Sequence, residues 1–181
     1  MDRIDMIKKD PLYLECLSLN SLREQERVFC RHDQEHLEAV ARISLKIITE
    51  AVGLDRFARD QGLEGTTQAA GVIYAAGLLH DLGRWRQYDA GEDHAGAGAR
   101  LARPVLERAG FAKQEIGLVT RAITEHRRAG PGASLLGRVI CLADDLSRPC
   151  ATCQARSECY KFDDLENLRE QNKSGYRLDA G

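Results

Sequence analysis

The sequence has no excess of one charge sign: over 181 residues, 26 basic side chains stand against 28 acidic ones, for a net charge of -2. That balance excludes a global basic field for nucleic acid. The basic residues are interleaved with acids rather than clustered, so no DNA or RNA partner is expected. Long apolar runs are also missing. The longest, from Gly71 to Leu79, is far too short to span a bilayer, and no membrane partner is expected. The first ten residues are charged and contain no apolar stretch of the kind a secretory leader needs. The expected location is therefore cytoplasmic. Strand patterning is nearly absent, and no internal repeat or low-complexity tract occurs.

Helical periodicity is nearly continuous instead. Leu37, Val40, Ala41, Ile47 and Ile48 lie on one helical stripe, which His36 extends. Ala69, Ile73 and Ala76 make a second stripe that leads to His80. On a third segment Ile116, Val119 and Ile123 recur at three and four residues, and His126 is the next member. A fourth, from Ser134 to Ser147, is apolar at Leu136, Val139, Ile140 and Ala143, with Asp144 four residues after Ile140. The segment from His94 to Ala109 starts with small residues, which lower helix propensity but allow close backbone approach.

Breaks are expected at Asn20-Ser21, between Gly53 and Gly65, at Gly91-Glu92-Asp93, at Gly110 and at Gly130-Pro131-Gly132. Asp93 is placed to cap a helix starting at His94. The expected fold is all-α, a compact single domain of about six helices. Residues 1–30 read as an N-terminal helical segment, 31–148 as the main domain, and 149–181 as a cysteine-rich tail with a short polar helix.

The dipeptide His80-Asp81 closes the longest apolar run, where an imidazole and a carboxylate are costly to bury unless something pairs with them. A divalent metal would do so. A lone histidine on an apolar face is ordinarily a hydrogen-bonded core residue. Here four of the five histidines, His36, His80, His94 and His126, fall on or at the start of such faces, with Asp81 and Asp144 beside them. Several imidazoles with carboxylates suit Mn, Fe, Zn, Co or Mg, the imidazoles favouring the transition metals.

His36-x3-Val40-Ala41, Leu-Leu-His80-Asp81-Leu-Gly and Leu-Ala-Asp144 together resemble the HD-domain superfamily of metal-dependent phosphohydrolases. His94 and His126 match its two-metal branch, and the resemblance runs from about Arg31 to Arg148. It implies that His36, His80, Asp81 and Asp144 hold one metal, and that Asp81, His94 and His126 hold a second, with Asp81 bridging. Asp144 rather than Asp145 is the ligand because the family's aspartate follows an alanine; Asp145 reads as a solvated helix position. The chemistry that the resemblance implies is hydrolysis by a metal-bridged hydroxide: two such dications would acidify a water for attack on phosphorus, with no protein nucleophile needed. Arg84, where the family commonly has a basic residue, is the candidate phosphate clamp, with Arg127, Arg128 and Arg138 weaker ones. His32 reads as a surface histidine at a helix start; if the helix reaches back, it stands behind the ligands or faces the substrate.

Cys150-x2-Cys153-x5-Cys159 follows at once. In a cytosolic protein such spacing suggests either a metal knuckle short of one ligand or a loop of free thiols. Cys30 lies six residues before His36 and Cys150 six after Asp144, which makes Cys30 the candidate fourth ligand, with Cys16 next. Cys141, on an apolar helix face, reads as core. A structural Zn is favoured there over an iron–sulfur cluster. Phe29-Cys30-Arg31-His32 and the tail are similar to uncharacterised bacterial HD-domain proteins.

The resemblance implies a phosphomonoesterase or phosphodiesterase acting on a small phosphorylated metabolite, a nucleotide above all. Dinucleoside tetraphosphates are the first to test, since the six-ligand set resembles the hydrolases that split them. The glycine-tyrosine-proline extension of cyclic-dinucleotide phosphodiesterases is missing, which disfavours that substrate. The alternatives are a di-iron HD-domain oxygenase with the same ligands and a non-catalytic metal or nucleotide sensor.

Overall fold

Apolar stripes at helical spacing need a partner surface, and the chain buries them against one another. The computed structural model describes residues 2–127, 130, 132–176 and 178. Its helices are α1 (Arg3–Lys9), α2 (Pro11–Arg23), α3 (Gln34–Ile47, ending in a π-helical turn Ile48–Val52), α4 (Leu54–Asp60) and α5 (Thr66–Leu79). α6 (Arg84–Ala90), α7 (His94–Arg108), α8 (Lys113–Glu125), α9 (Leu135–Ser147) and α10 (Phe162–Gln171) follow, and no strand occurs among the described residues. The all-α class is as the sequence pattern indicates. The count exceeds six because α1, α4 and α6 are seven-residue helices, too short to show a stripe.

α5 is the central element, packed against α3, α8, α4 and α1. Val72, Ala75, Leu78 and Leu79 are buried as well as Ala69, Ile73 and Ala76, so the helix is apolar all round rather than on one stripe. Two glycines set how closely its neighbours approach. A Cβ at Gly77 would lie 2.4 Å from Ala41 Cα, so only glycine lets α3 and α5 cross here. A Cβ at Gly83, just after the His-Asp pair, would lie 2.4 Å from the Gly98 nitrogen and 2.6 Å from the His94 carbonyl oxygen. The small start of α7 thus rests directly on the turn that carries Asp81.

The helices α1 and α2 share the same core: Ile7, Tyr13 and Cys16 are buried in it. Arg3 is bidentate on Glu115, and Asp10, the α2 cap, pairs with Arg108. Asn20, expected at a break, is instead buried inside α2. The expected break between Gly53 and Gly65 contains α4.

Candidate metal centre

Four of the histidines sit at helix ends, where backbone groups are left without helical partners. Asp33 caps α3 by accepting from the His36 N–H at 2.9 Å, and Asp93 caps α7, accepting from Gly96 N–H at 2.9 Å, so that His94 is its first residue. His80 and His126 close α5 and α8, where each Nδ1 donates to an orphan carbonyl three residues back, Gly77 O at 2.8 Å and Ile123 O at 2.6 Å. His94 Nδ1 meets Gln87 Oε1 at 2.5 Å. His36 Nδ1 lies 3.2 Å from Ser147 Oγ, whose own hydroxyl donates to the Asp144 carbonyl. With Nδ1 engaged on every ring, the Nε2 atoms are the ones turned to the centre.

Asp81, 2% exposed, stands between them. Its Oδ2 is 3.3 Å from His80 Nε2 and 4.0 Å from His36 Nε2; its Oδ1 is 3.2 Å from His94 Nε2 and 3.7 Å from His126 Nε2. Asp144 Oδ1 completes the first side, 3.2 Å from His36 Nε2 and 3.9 Å from His80 Nε2. Two groups therefore form, His36-His80-Asp81-Asp144 and Asp81-His94-His126, each with its ligand atoms within 4.8 Å of one another. His36 Nε2, His80 Nε2 and Asp81 Oδ1 are buried yet make no hydrogen bond. Such orphaned groups are costly without a partner, and a nitrogen and oxygen donor set of this kind fits a divalent metal.

Burial pushes His36 and His94 below the usual imidazole value, against the pull of Asp144 and Asp81, which favours the neutral form a metal needs. At His80 burial acts the same way, but the adjacent Asp81 outweighs it and raises the value. Burial would raise Asp81, yet the surrounding His80, His32 and His126 rings hold it well below the carboxylate range. Asp144 is also lowered against burial, by His36 and by Arg148, which grips both its oxygens at 2.7 Å. The centre thus holds two ionised carboxylates, Asp81 buried and Asp144 at the pocket wall, a cation-attracting arrangement.

A family profile described as HD domain matches residues 34–148, well over half the chain. The chain belongs to the HD-domain family. Members of this family bind divalent metals and are commonly hydrolytic. An uncharacterized protein of Clostridium beijerinckii is 30% identical over 172 residues, which is 93% of this chain and 98% of that protein. A bifunctional uridylyltransferase/uridylyl-removing enzyme of Bradyrhizobium diazoefficiens is 46% identical over 55 residues, 30% of this chain but 6% of that enzyme. No solved structure matches significantly.

Beside the HD-domain cluster lies a pocket of about 400 Å³, lined by Asp81, His94, His126 and Asp144 together with Arg84, Arg127, Arg148 and Lys161. Arg84 Nη1 lies 3.0 Å from His94 Nδ1, at the edge of the second group. Arg127 pairs with Asp93 at 2.7 Å. Arg138 is not in the lining and donates to the Ala133 carbonyl, and Arg128 lies outside the described residues. Asp145, expected in solvent, is only partly exposed and lines the pocket, 3.6 Å from Lys161, and burial raises its pKa. Cys141, expected in the core, lines the pocket too.

The cysteines do not converge. Among the described residues no three thiols come within ligand distance. Cys30 lies near Arg148 and Cys150 near Arg169. Cys30 and Cys159 line the pocket, and Cys153 sits between two short 3-10 turns, Cys150–Thr152 and Arg156–Glu158. Cys16 is buried against Trp85, and burial pushes its thiol up to about 11.

Three residues escaped the sequence pattern. Asn20 Nδ2 donates to the Asp81 carbonyl at 3.1 Å and its Oδ1 accepts from Trp85 N–H at 2.8 Å, clamping the turn between α5 and α6. His32 is not a surface residue: α3 starts only at Gln34, yet His32 is 3% exposed, its Nδ1 2.5 Å from Glu24 Oε1. Glu24 is equally buried. No local period marks Asn20 or Glu24, because their partners lie outside their own helices; His32 stands four residues before His36, but α3 does not reach back to it.

Proposed function

We propose that this chain is a phosphohydrolase that uses two divalent metal ions to cleave a small phosphate ester, with nucleotides as the substrate class. The observation that carries this reading is the division of Asp81: Oδ2 faces His36 and His80, and Oδ1 faces His94 and His126. His36, His80, Asp81 and Asp144 would hold one ion, and Asp81, His94 and His126 the other. The chemistry supplied by bound ions is an acidified water and positive charge for phosphoryl oxygens. The chain's own part is to fix the ligands through their Nδ1 contacts, to keep the carboxylates ionised, and to present cations to the ester. Arg84, whose Nη1 lies beside His94, would clamp a phosphoryl oxygen.

Three features favour a nucleotide. The pocket volume of about 400 Å³ is in the range of small-ligand sites. Phe29 and Tyr160 line it and offer aromatic faces for a base. The short likeness is to an enzyme named for removing a uridylyl group. The test is a metal count on anaerobically purified protein, then a screen for phosphate release. The panel is nucleotides, dinucleoside tetraphosphates and sugar phosphates, with added Mn, Fe, Co, Zn or Mg. Turnover of at least one nucleotide is expected. Failure with every metal would overturn the reading, and oxygen consumption by a mixed-valent di-iron form would move the chain to the oxygenases.

A further inference from the structure

All five histidines are built alike, with Nδ1 anchored and Nε2 turned inward, but one of them belongs to neither ligand group. His32 Nδ1 lies 2.5 Å from Glu24 Oε1, and its backbone N–H donates to Glu24 Oε2 at 2.7 Å, so a single carboxylate fixes both ring and main chain. The Tyr88 hydroxyl donates to Glu24 Oε1 at 2.6 Å and accepts from Arg84 Nε at 3.3 Å, which ties the pair to α6. His32 Nε2 is then aimed at the centre, 3.6 Å from Asp81 Oδ2, beyond hydrogen-bond distance. His32 is buried and also lines the pocket.

A buried carboxylate–imidazole pair gains little over apolar packing of the same volume, so stability alone is a weak reason for it. A fixed ring nitrogen facing a pocket is the working arrangement of carboxylate–histidine pairs, in which the carboxylate orients the ring and the far nitrogen meets the substrate. We infer that His32 is a substrate-contacting residue, held by Glu24, whose Nε2 donates a hydrogen bond to the phosphoryl group of the ester bound beside Asp81. The inference rests on the phosphohydrolase reading above. With Nδ1 donating to Glu24 and Nε2 to phosphate, the ring lies between two anions, and Glu24 acts as its positioning residue.

The experiment is calorimetric titration of inorganic phosphate into Mn-loaded protein. His32→Ala should weaken phosphate binding about tenfold while bound Mn per chain stays near that of the native protein; the unfolding temperature should fall, because Glu24 is left buried without its partner. His32→Gln, whose amide N–H can donate in the same direction, should recover most of the loss. Unchanged phosphate affinity in His32→Ala overturns the inference. So does a Gln variant as weak as the Ala one, or a loss of Mn in step with phosphate in both. If His32→Ala does not fold, 15N-histidine NMR of the native Zn-loaded protein decides: phosphate should shift the His32 Nε2 resonance, and no shift overturns the contact. Native protein that neither binds phosphate nor hydrolyses any ester removes the phosphohydrolase reading and this inference with it. Native protein that does both, with His32→Ala its equal, removes the inference alone.

Discussion

The ligand-type residues of α3, α5, α7, α8 and α9 are far apart in sequence and meet in space, whereas Cys150, Cys153 and Cys159 are near in sequence and do not. The difference lies in what carries them. Each His or Asp sits on, or at the end of, a helix whose apolar stripe is locked against another, so packing fixes the side chain's direction. The cysteines sit on short 3-10 turns and the loops between them, where no such stripe exists.

The strongest way to break this comparison is Asp81→Ala, which removes the carboxylate shared by both groups. Metal content should fall at both groups, and hydrolysis should drop at least about 10³-fold, with helicity by circular dichroism preserved. Retention of a full metal complement would refute the bridging assignment. Gly77→Ala tests the packing that brings His36 to His80: a Cβ 2.4 Å from Ala41 Cα should destabilise the fold by about 1–3 kcal/mol in a urea titration and weaken metal binding.

Asn20→Ala acts more locally. It frees the Asp81 carbonyl and the Trp85 N–H from buried partners, and should destabilise by about 1–3 kcal/mol. Metal affinity should fall about tenfold, because the turn that aims Asp81 loosens. Glu24→Gln gives a smaller, pH-dependent effect. Burial would raise Glu24, but its contacts with His32 hold it at about 2 against an ordinary 4.5. A lowered carboxylate contributes stability that is full above about pH 4.5 and is lost as pH falls toward 2. The variant should therefore show a flatter fall in unfolding free energy across that window than the native chain. Smallest of all should be Cys153→Ser, within about 0.5 kcal/mol of native stability and with unchanged metal content. Loss of one Zn per chain in that variant would show that the tail does hold a metal, and the contrast would collapse.

Much of the site was legible in the sequence because periodicity is a local property. The stripes that carry His36 and His126, the apolar run that ends at His80, the Asp93 cap before His94, and the Ala143-Asp144 step all mark helices in the structure, although the α5 run is buried all round rather than on one stripe. The surroundings of the site are less legible. Asn20 reads as a break, His32 as a surface residue, and Asp145 as a solvated one, because the environment of each is set by a neighbour in another helix or loop.

The sequence by itself determined the helical class, the faces that pack, and the ligand types carried on them, since all three follow from residue chemistry repeated every three to four positions. Only the tertiary structure decided that Asp81 turns one oxygen to each histidine pair, that Glu24 draws His32 into the centre, and that the tail cysteines stay apart. Those outcomes depend on contacts between segments distant in the chain, at the approach that Gly77 and Gly83 permit, and no local pattern encodes them.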